Sequence, residues 1–418
     1  MVHTATDIGP ILDQVPLGSF DFWGRPPHER AAGFTALREH APVAFHTVKD
    51  LPGVTEGDGF WAVTRYQDIH AASRQLELSN NQGVLISDMI SDPMMTNTPP
   101  AIIAMDDPEH ARLRSLVNRG FTPRAVSGLA DSVRQTVREV VDSVIERGAC
   151  DFVEDVAAAI PLRVICTMMG IDESRYKEIY TLTNAIVGGE DPEYAVDSAA
   201  RVRANLALTE YGEQLAAEKL AHPGDDLASL LVSSAQTGER ISPNELASFF
   251  KLLVAAGNET TRNAITQGLY LLTTNPEQRQ AWMSDFDGLA PSAVEEILRV
   301  ASPLNSMRRT AAEDTTVAGQ AVSKGDKVVL FYASANRDHT IFENPDQFNI
   351  RRDPNPHMAF GGGGAHFCLG AHLAKLELKI VFEELFTRMP DIRTVEEPDY
   401  LKSTFVNGIK RVRAEWSI

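Results

Sequence analysis

The sequence predicts a mainly α-helical fold with small β-sheets, organised as a single large domain over residues 1–418. Three observations carry this prediction. From Ser127 to about Leu230, apolar residues recur at helical spacing, with short breaks at Pro161, Gly170, Gly188-Gly189 and His222-Pro-Gly-Asp-Asp. A long helix then starts at Ser242-Pro-Asn-Glu245, with Ser as N-cap, Pro at the first position and Glu three after the cap. Its stripe runs Leu246, Phe250, Leu253, Gly257, Thr260 and Ala264. Finally, no Gly/Ser/Pro-rich linker, internal repeat or composition shift divides the chain.

Composition bounds the function. Hydrophobic residues make up 43% of the chain, enough for a large core, and the formal net charge of -18 argues against general affinity for nucleic acid or anionic membrane. No apolar run reaches the roughly 20 residues of a membrane span. Met1 to Phe20 lacks the basic and apolar regions of an export signal. The three cysteines, Cys150, Cys166 and Cys368, are odd in number and widely spaced, which predicts no disulfide framework and fits a reducing cytoplasm. Cys150 and Cys166 read as inert thiols.

Taken in order, the chain predicts a helix around Arg30 to His40 and a small sheet using residues near Val43 and Phe60-Trp-Ala-Val-Thr. The stretch from Ser79 to Pro100 mixes turn residues with Leu85, Ile86, Met89, Ile90, Met94 and Met95. It reads either as a lid with an apolar inner side or as an ordinary loop with core anchors. Asp107-Pro-Glu starts a helix that sets His110 and Arg114 on one face, where two cations want an anion. Asp225 or Asp226 caps the helix carrying Leu227, Leu230 and Leu231. Glu296 and Arg299 can pair on a later helix, a pattern that exposed helices also show. A second small sheet is expected from Arg308-Arg309 and Val328 to Phe331, and Ser403-Thr-Phe-Val406 reads as a strand or hairpin tip reaching back to a pocket.

Two stretches break local rules in ways that point to chemistry. In the long helix, mid-helix Gly257 costs about 1 kcal/mol against Ala, and Glu259 lies beside a buried stripe. Thr260 can bond a carbonyl of the preceding turn and open a notch. Downstream, Phe360-Gly-Gly-Gly-Gly-Ala-His366-Phe-Cys368-Leu-Gly370 places one cysteine before a helix marked by Leu369, Leu373, Leu376 and Ile380. The helix start favours a thiolate, and the glycines allow close approach to something flat. The physical reading is an axial ligand to a planar cofactor, most simply haem. A flexible linker and a phosphate loop are the alternatives, though the Lys-Ser/Thr of a phosphate loop is absent.

Together these residues resemble the cytochrome P-450 family of haem-thiolate monooxygenases, in order along nearly the whole chain. The stretches that carry the resemblance are Asp-Pro-Glu-His110-x-x-x-Arg114, Ala256-Gly-Asn-Glu259-Thr260-Thr261, Glu296-x-x-Arg299, Arg309-Thr-Ala311, Ala335-Asn-Arg-Asp338 and the cysteine loop. The resemblance implies haem b with Cys368 as axial iron ligand, inside a loop bounded by Phe360, Gly361 and Gly370. It implies that His110, Arg114, Arg309 and His366 partner the haem propionates. Glu259 and Thr260 match an acid–alcohol pair that relays protons during oxygen activation, and Glu296 and Arg299 match a buried structural ion pair. Phe360 stands eight residues before the cysteine, one more than in much of the family, and Gln347 occupies the position of a third, arginine member of the ion-pair network. Within the family, Leu17-Gly-Ser-Phe-Asp-Phe-Trp, Ser284-Asp-Phe-Asp-Gly-Leu-Ala-Pro, Asn355-Pro-His and Phe405-x-Asn-Gly-Ile-Lys look similar to actinobacterial members that ω-hydroxylate methyl-branched lipids. Steroid side-chain hydroxylases share several of these stretches.

The expected activity is therefore hydroxylation of an unactivated C–H bond of an apolar substrate, a branched lipid or a sterol side chain at C26/C27. Ile103, Leu252, Ala255, Leu304 and Phe405 are the expected pocket residues, with small Ala256 leaving access over the ring. Electrons are expected from a ferredoxin and its reductase, because no flavin or iron–sulfur signature is present. Arg112, Lys375 and Lys379 are candidate docking cations, or a solvated face. A peroxide-driven peroxygenase would not need the Glu259–Thr260 pair. A haem-thiolate sensor or electron carrier would need neither lid nor apolar pocket.

Overall fold

The computed structural model describes residues 8–87, 99–187, 189–194, 197–233 and 240–418. Of the sequence expectations, Gly188 and the lid residues Met89, Ile90, Met94 and Met95 lie outside the described residues. Local signals set several boundaries. The helix expected over Arg30 to His40 runs Pro27–His40, with proline in the first turn, where its missing N–H costs no bond. Asp226, not Asp225, caps Leu227–Val232, accepting from the Ser229 N–H at 2.8 Å.

The helices that build the site are α1 (Glu109–Val117), α2 (Ala130–Val144), α3 (Ala159–Met168), α4 (Ser198–Ala221), α5 (Pro243–Thr274), α6 (Phe286–Ala301) and α7 (Ala371–Arg388). The capping box of α5 closes in both directions: the Glu245 N–H donates to Ser242 Oγ at 3.3 Å, and the Ser242 N–H to Glu245 Oε2 at 2.8 Å. The apolar face of α5 (Phe250, Val254, Ile265, Leu269) joins one large core with Val137 and Val141 of α2, Ile165 of α3, Ile297 of α6 and Leu378 and Phe382 of α7. Gly257, read above as a functional break, has a packing cause. A Cβ there would stand 2.6 Å from Ile165 Cδ1, so the glycine lets α3 sit close against α5.

The expected small sheets form one five-stranded sheet among the described residues. Its strands are β1 (Val43–Thr47), β2 (Gly59–Val63), β3 (Leu78–Ser79), β4 (Met307–Ala311) and β5 (Lys327–Leu330), in the order β1-β2-β5-β4-β3. The β2–β5 pair is parallel and the other pairs are antiparallel. The register sets Arg309 opposite Val328, and Arg309 is buried there. A second core, with Trp23 stacked on Phe331 at 6.0 Å, buries the Leu17–Trp23 stretch against this sheet. The segment Ser403–Val406 is a turn rather than a strand. A single bridge, Leu304 to Val406, ties it to the end of α6, and pairing resumes at Ile409–Arg411. No described helix is long and apolar enough to cross a membrane.

Candidate active site

Cys368 stands two residues before Gly370, the N-cap of α7. Its N–H donates to Phe360 O at 3.0 Å, which closes the loop on itself. Its side chain is exposed. Yet burial by surrounding protein is the largest influence on the thiol, raising its pKa against the lowering effects of the Gly370 N–H and Arg114. The sulfur is thus accessible while closely surrounded by protein. The Gly370 N–H at the helix start acts in the expected direction, towards thiolate, and burial acts against it. Cys150 and Cys166 are buried, and burial pushes both thiols up to about 12, as expected of inert positions.

The glycine run also packs closely against protein. Gly361 takes φ 98°, a left-handed conformation. A Cβ at Gly362 would overlap Ser73 Oγ, and one at Gly364 would stand 2.7 Å from Ser73 O. Arg74 Nη1 donates to Gly362 O at 2.6 Å. The glycines thus seat the loop on Ser73 and Arg74, a partner that gave no signal in the sequence because it lies some 290 residues away. Phe360 packs against the large core, with Lys375 Nζ 5.2 Å from its ring centre.

Cations gather beside the cysteine loop. The His110 and His366 rings lie 4.2 Å apart. Arg114 Nη2 donates to Phe367 O at 2.7 Å. Arg309, 6% exposed, donates to Arg308 O at 2.9 Å. Burial first, then the charges of His110, Arg309 and Arg114, push His366 down to about 3, so its ring is neutral at physiological pH. His110 Nδ1 lies 3.1 Å from Asp107 Oδ1. Among the described residues, neither Arg114 nor Arg309 has an acidic partner. Two guanidiniums turned inward without acids fit an anionic ligand.

On α5, Thr260 Oγ1 donates to Ala256 O at 2.8 Å, the local bond expected of a notch. Glu259 is buried and held by Arg262 Nη2 at 2.5–2.6 Å, with Asn263 Nδ2 at 3.5 Å. The structure therefore brings Glu259 and Thr260 next to each other without joining their side chains. Arg262 and Asn263 were missed in the sequence, although both fall one turn beyond Glu259 on its own face. Leu252, Ala255 and Ala256 share the open side of the helix, with Ala256 the most accessible. Ile103 lies in the short turn Ile102–Ala104. The Phe405 carbonyl accepts from the Asn305 N–H at 2.7 Å, Asn305 Nδ2 donates to Ser403 O at 3.1 Å, and Ser306 Oγ to Thr404 O at 3.4 Å. The polar pair at 305–306 thus holds the tip that carries Phe405 beside Leu304.

Behind the loop, Arg299 Nε and Nη2 each donate to Glu296 at 2.8 Å, both residues wholly buried. The missing third cation is Arg352, whose Nε reaches Glu296 Oε2 at 3.1 Å, joined by Asn355 Nδ2 at 3.0 Å. Gln347 contributes its carbonyl, which accepts from Arg299 and Arg352. Only the adjacent pair Arg351-Arg352 in a polar stretch could have signalled this. The candidate docking cations are all paired: Arg112 with Glu245, Lys375 with Glu295 at 2.5 Å and Lys379 with Asp287 at 3.0 Å.

The accessible thiol, the cations without described acids and the notched helix agree with the matches that follow: the chain belongs to the cytochrome P-450 family. The family model for cytochrome P-450 matches residues 199–390. The chain is 45% identical over 412 residues to the methyl-branched lipid omega-hydroxylase of Mycobacterium tuberculosis, covering 98% of this chain and 96% of that protein. It is 37% identical to the steroid C26-monooxygenase of Rhodococcus jostii, covering 92% of this chain and 81% of that protein. A solved Mycobacterium marinum cytochrome P-450 in complex with pseudoionone is 39% identical and superposes with a TM-score of 0.90, covering 96% of this chain and 98% of that one. The protein is accordingly a monooxygenase of a haem-thiolate family.

Proposed function

We propose that the protein hydroxylates the terminal carbon of methyl-branched lipids, with haem b held by Cys368. The 45% identity over nearly the full chain to a methyl-branched lipid omega-hydroxylase carries the substrate reading. The donor set supports the cofactor: an accessible sulfur just before α7, and Arg114 and Arg309 without described acidic partners where two propionates would sit. Haem, when bound, supplies reductive activation of dioxygen. The chain's own residues do the rest. Arg114, Arg309 and the imidazoles of His110 and His366 hold the carboxylate arms. Thr260 keeps a hydroxyl at the notch, and Glu259 delivers protons to it after leaving Arg262. The alanines at 255 and 256, with Leu252, Ile103, Leu304 and Phe405, leave an apolar slot that excludes water.

Electrons come from a ferredoxin and its reductase. Docking through Arg112, Lys375 or Lys379 competes with their present acidic partners, which favours a partner rich in carboxylates. Oxidation of a steroid side chain at C26/C27 is the second reading, favoured by the 37% identity to a steroid C26-monooxygenase.

A side-by-side absorbance titration from low to high spin with isopalmitic acid, palmitic acid and cholestenone tests the substrate. The branched lipid should bind tightest, and a response to cholestenone alone overturns the lipid reading. The carbon monoxide difference spectrum tests the ligand. The thiolate band should be present and should vanish in Cys368→Ala, and its persistence there overturns the assignment of Cys368.

A further inference from the structure

A third inward cation lies away from the cysteine loop. Arg201 is 8% exposed, on the first turn of α4. Its guanidinium lies under the loop that precedes α4, where a Cβ at Gly189 would overlap Nη2. Its Nε has no hydrogen-bond partner, and no described residue accepts from its side chain or pairs with its charge. The acids beside Gly189 are engaged elsewhere. Glu190 accepts from Ser403 Oγ, from the Thr404 N–H at 2.8 Å and from Thr404 Oγ1 at 2.7 Å. Asp191 accepts from the Lys402 N–H at 2.9 Å and lies 3.6 Å from Lys410 Nζ.

The helix faces show where Arg201 points. Arg201, Asn205, Leu208 and Gly212 recur at spacings of four, three and four, so they form one stripe. That stripe is the face α4 turns to α5. A Cβ at Gly212 would stand 2.6 Å from Ala247 Cα, Leu208 is in the core, and Lys251 Nζ donates to Asn205 Oδ1 at 3.2 Å. Position 212 faces 247 and position 205 faces 251, so the helices run antiparallel. One turn further, Arg201 falls level with Ala255, on the open side of α5. Burial lowers the Lys251 ammonium to about 8, against the raising effect of Glu213, so it stays mostly protonated at neutral pH.

A buried guanidinium without an acid destabilises a fold unless a ligand supplies the anion. We propose that Arg201, flanked by Asn205 and Lys251, binds the carboxylate of the substrate, so that the enzyme takes methyl-branched lipids as free acids. This inference rests on the lipid reading above. Lys251 precedes Thr260 by nine residues on the same helix, about 14 Å along its axis. A chain held at its acid end there extends toward the notch, which presents the far methyl terminus for oxidation.

The test is the ratio of dissociation constants for isopalmitic acid and methyl isopalmitate, read from the spin-state titration of the holoenzyme. The acid should bind about tenfold tighter, the scale of one charge-assisted hydrogen-bonded pair. Arg201→Met should bring the ratio to about one, and Arg201→Lys should restore part of it, since a point charge replaces a fork. Equal binding of acid and ester by the wild-type protein overturns the proposal, as does an undiminished ratio in Arg201→Met. Because the wild-type comparison needs no variant, a folding failure of Arg201→Met leaves the test in force. Either negative result, obtained with both lipids shifting the spectrum, leaves the lipid reading standing. A shift with cholestenone alone overturns both.

Discussion

Two clusters of buried charge in this protein are built on opposite rules. Around Glu296, cations and carboxylate are matched. Arg299 and Arg352 bond the same carboxylate, and the spare donors of Arg299 reach the carbonyls of Asn336 and Pro345 at 2.8 and 2.7 Å. Beside Cys368 and again at Arg201, guanidiniums turn inward with no described acid to meet them. The first arrangement is scaffold: it fixes the segment before the cysteine loop and has nothing left to offer a ligand. The second carries an electrostatic deficit that a ligand's carboxylates would remove. Buried charge alone therefore does not mark function; the missing counter-charge does.

This contrast can be broken by substitution, and the largest effect should fall on the matched cluster. Arg299→Ala strands Glu296 and should cost about 3–5 kcal/mol in urea unfolding, with loss of the thiolate band in the carbon monoxide difference spectrum. A cost under about 1 kcal/mol would show that Arg352 suffices and that the cluster is redundant.

Next in size is a buried carboxyl that has no cation among the described residues. Glu377 on α7 is 2% exposed, its Oε2 has no partner, and burial pushes its pKa up from 4.5 to about 8. Between those values the folded protein keeps a proton that the unfolded chain has released. Stability therefore falls as pH rises from about 4.5 to about 8. Glu377→Gln should remove that slope and exceed wild type at pH above 8 by on the order of 1–3 kcal/mol. Urea melts at mildly acid and mildly alkaline pH check this, and parallel pH profiles for the two proteins would contradict it.

Arg309→Met sharpens the comparison from the other side. Removing an unmatched cation should change unfolding of the haem-free protein by less than about 1 kcal/mol, while haem transfers faster to an acceptor protein. A loss as large as that of Arg299→Ala would place Arg309 in the scaffold. The smallest stability effect belongs to Thr260→Ala, which removes one local bond. Product formed per electron pair should drop while the substrate-induced spin shift persists. Unchanged coupling would remove Thr260 from proton delivery.

Much of the fold was legible because its signals are local. The Ser242–Glu245 box, the apolar stripe of α5 and the proline at the start of Pro27–His40 are readable within one or two turns of chain. Site residues were legible where a motif carried them: Cys368, Thr260, and His110 with Arg114 on one face. What failed was partner choice. The glycine run gave no sign of Ser73 and Arg74, which stand where the Cβ atoms of Gly362, Gly363 and Gly364 would go. Gly257 was read as a functional break, yet Ile165 fills the space beside it. Arg352 replaced the arginine expected at Gln347 because the bend between them returns it to Glu296.

By itself, the sequence determined the helices, the exposed-or-buried periodicity and the kind of chemistry, since these depend on side chains within a few residues of one another. Only the tertiary structure decided which charges are matched. Arg201 looks in the sequence like any other arginine on a helix. It becomes distinctive once Gly189 covers it, Ser403 and Thr404 occupy Glu190, and α5 brings Lys251 to Asn205. Counter-charge is a property of distance through space, and residues about 200 positions apart set it here.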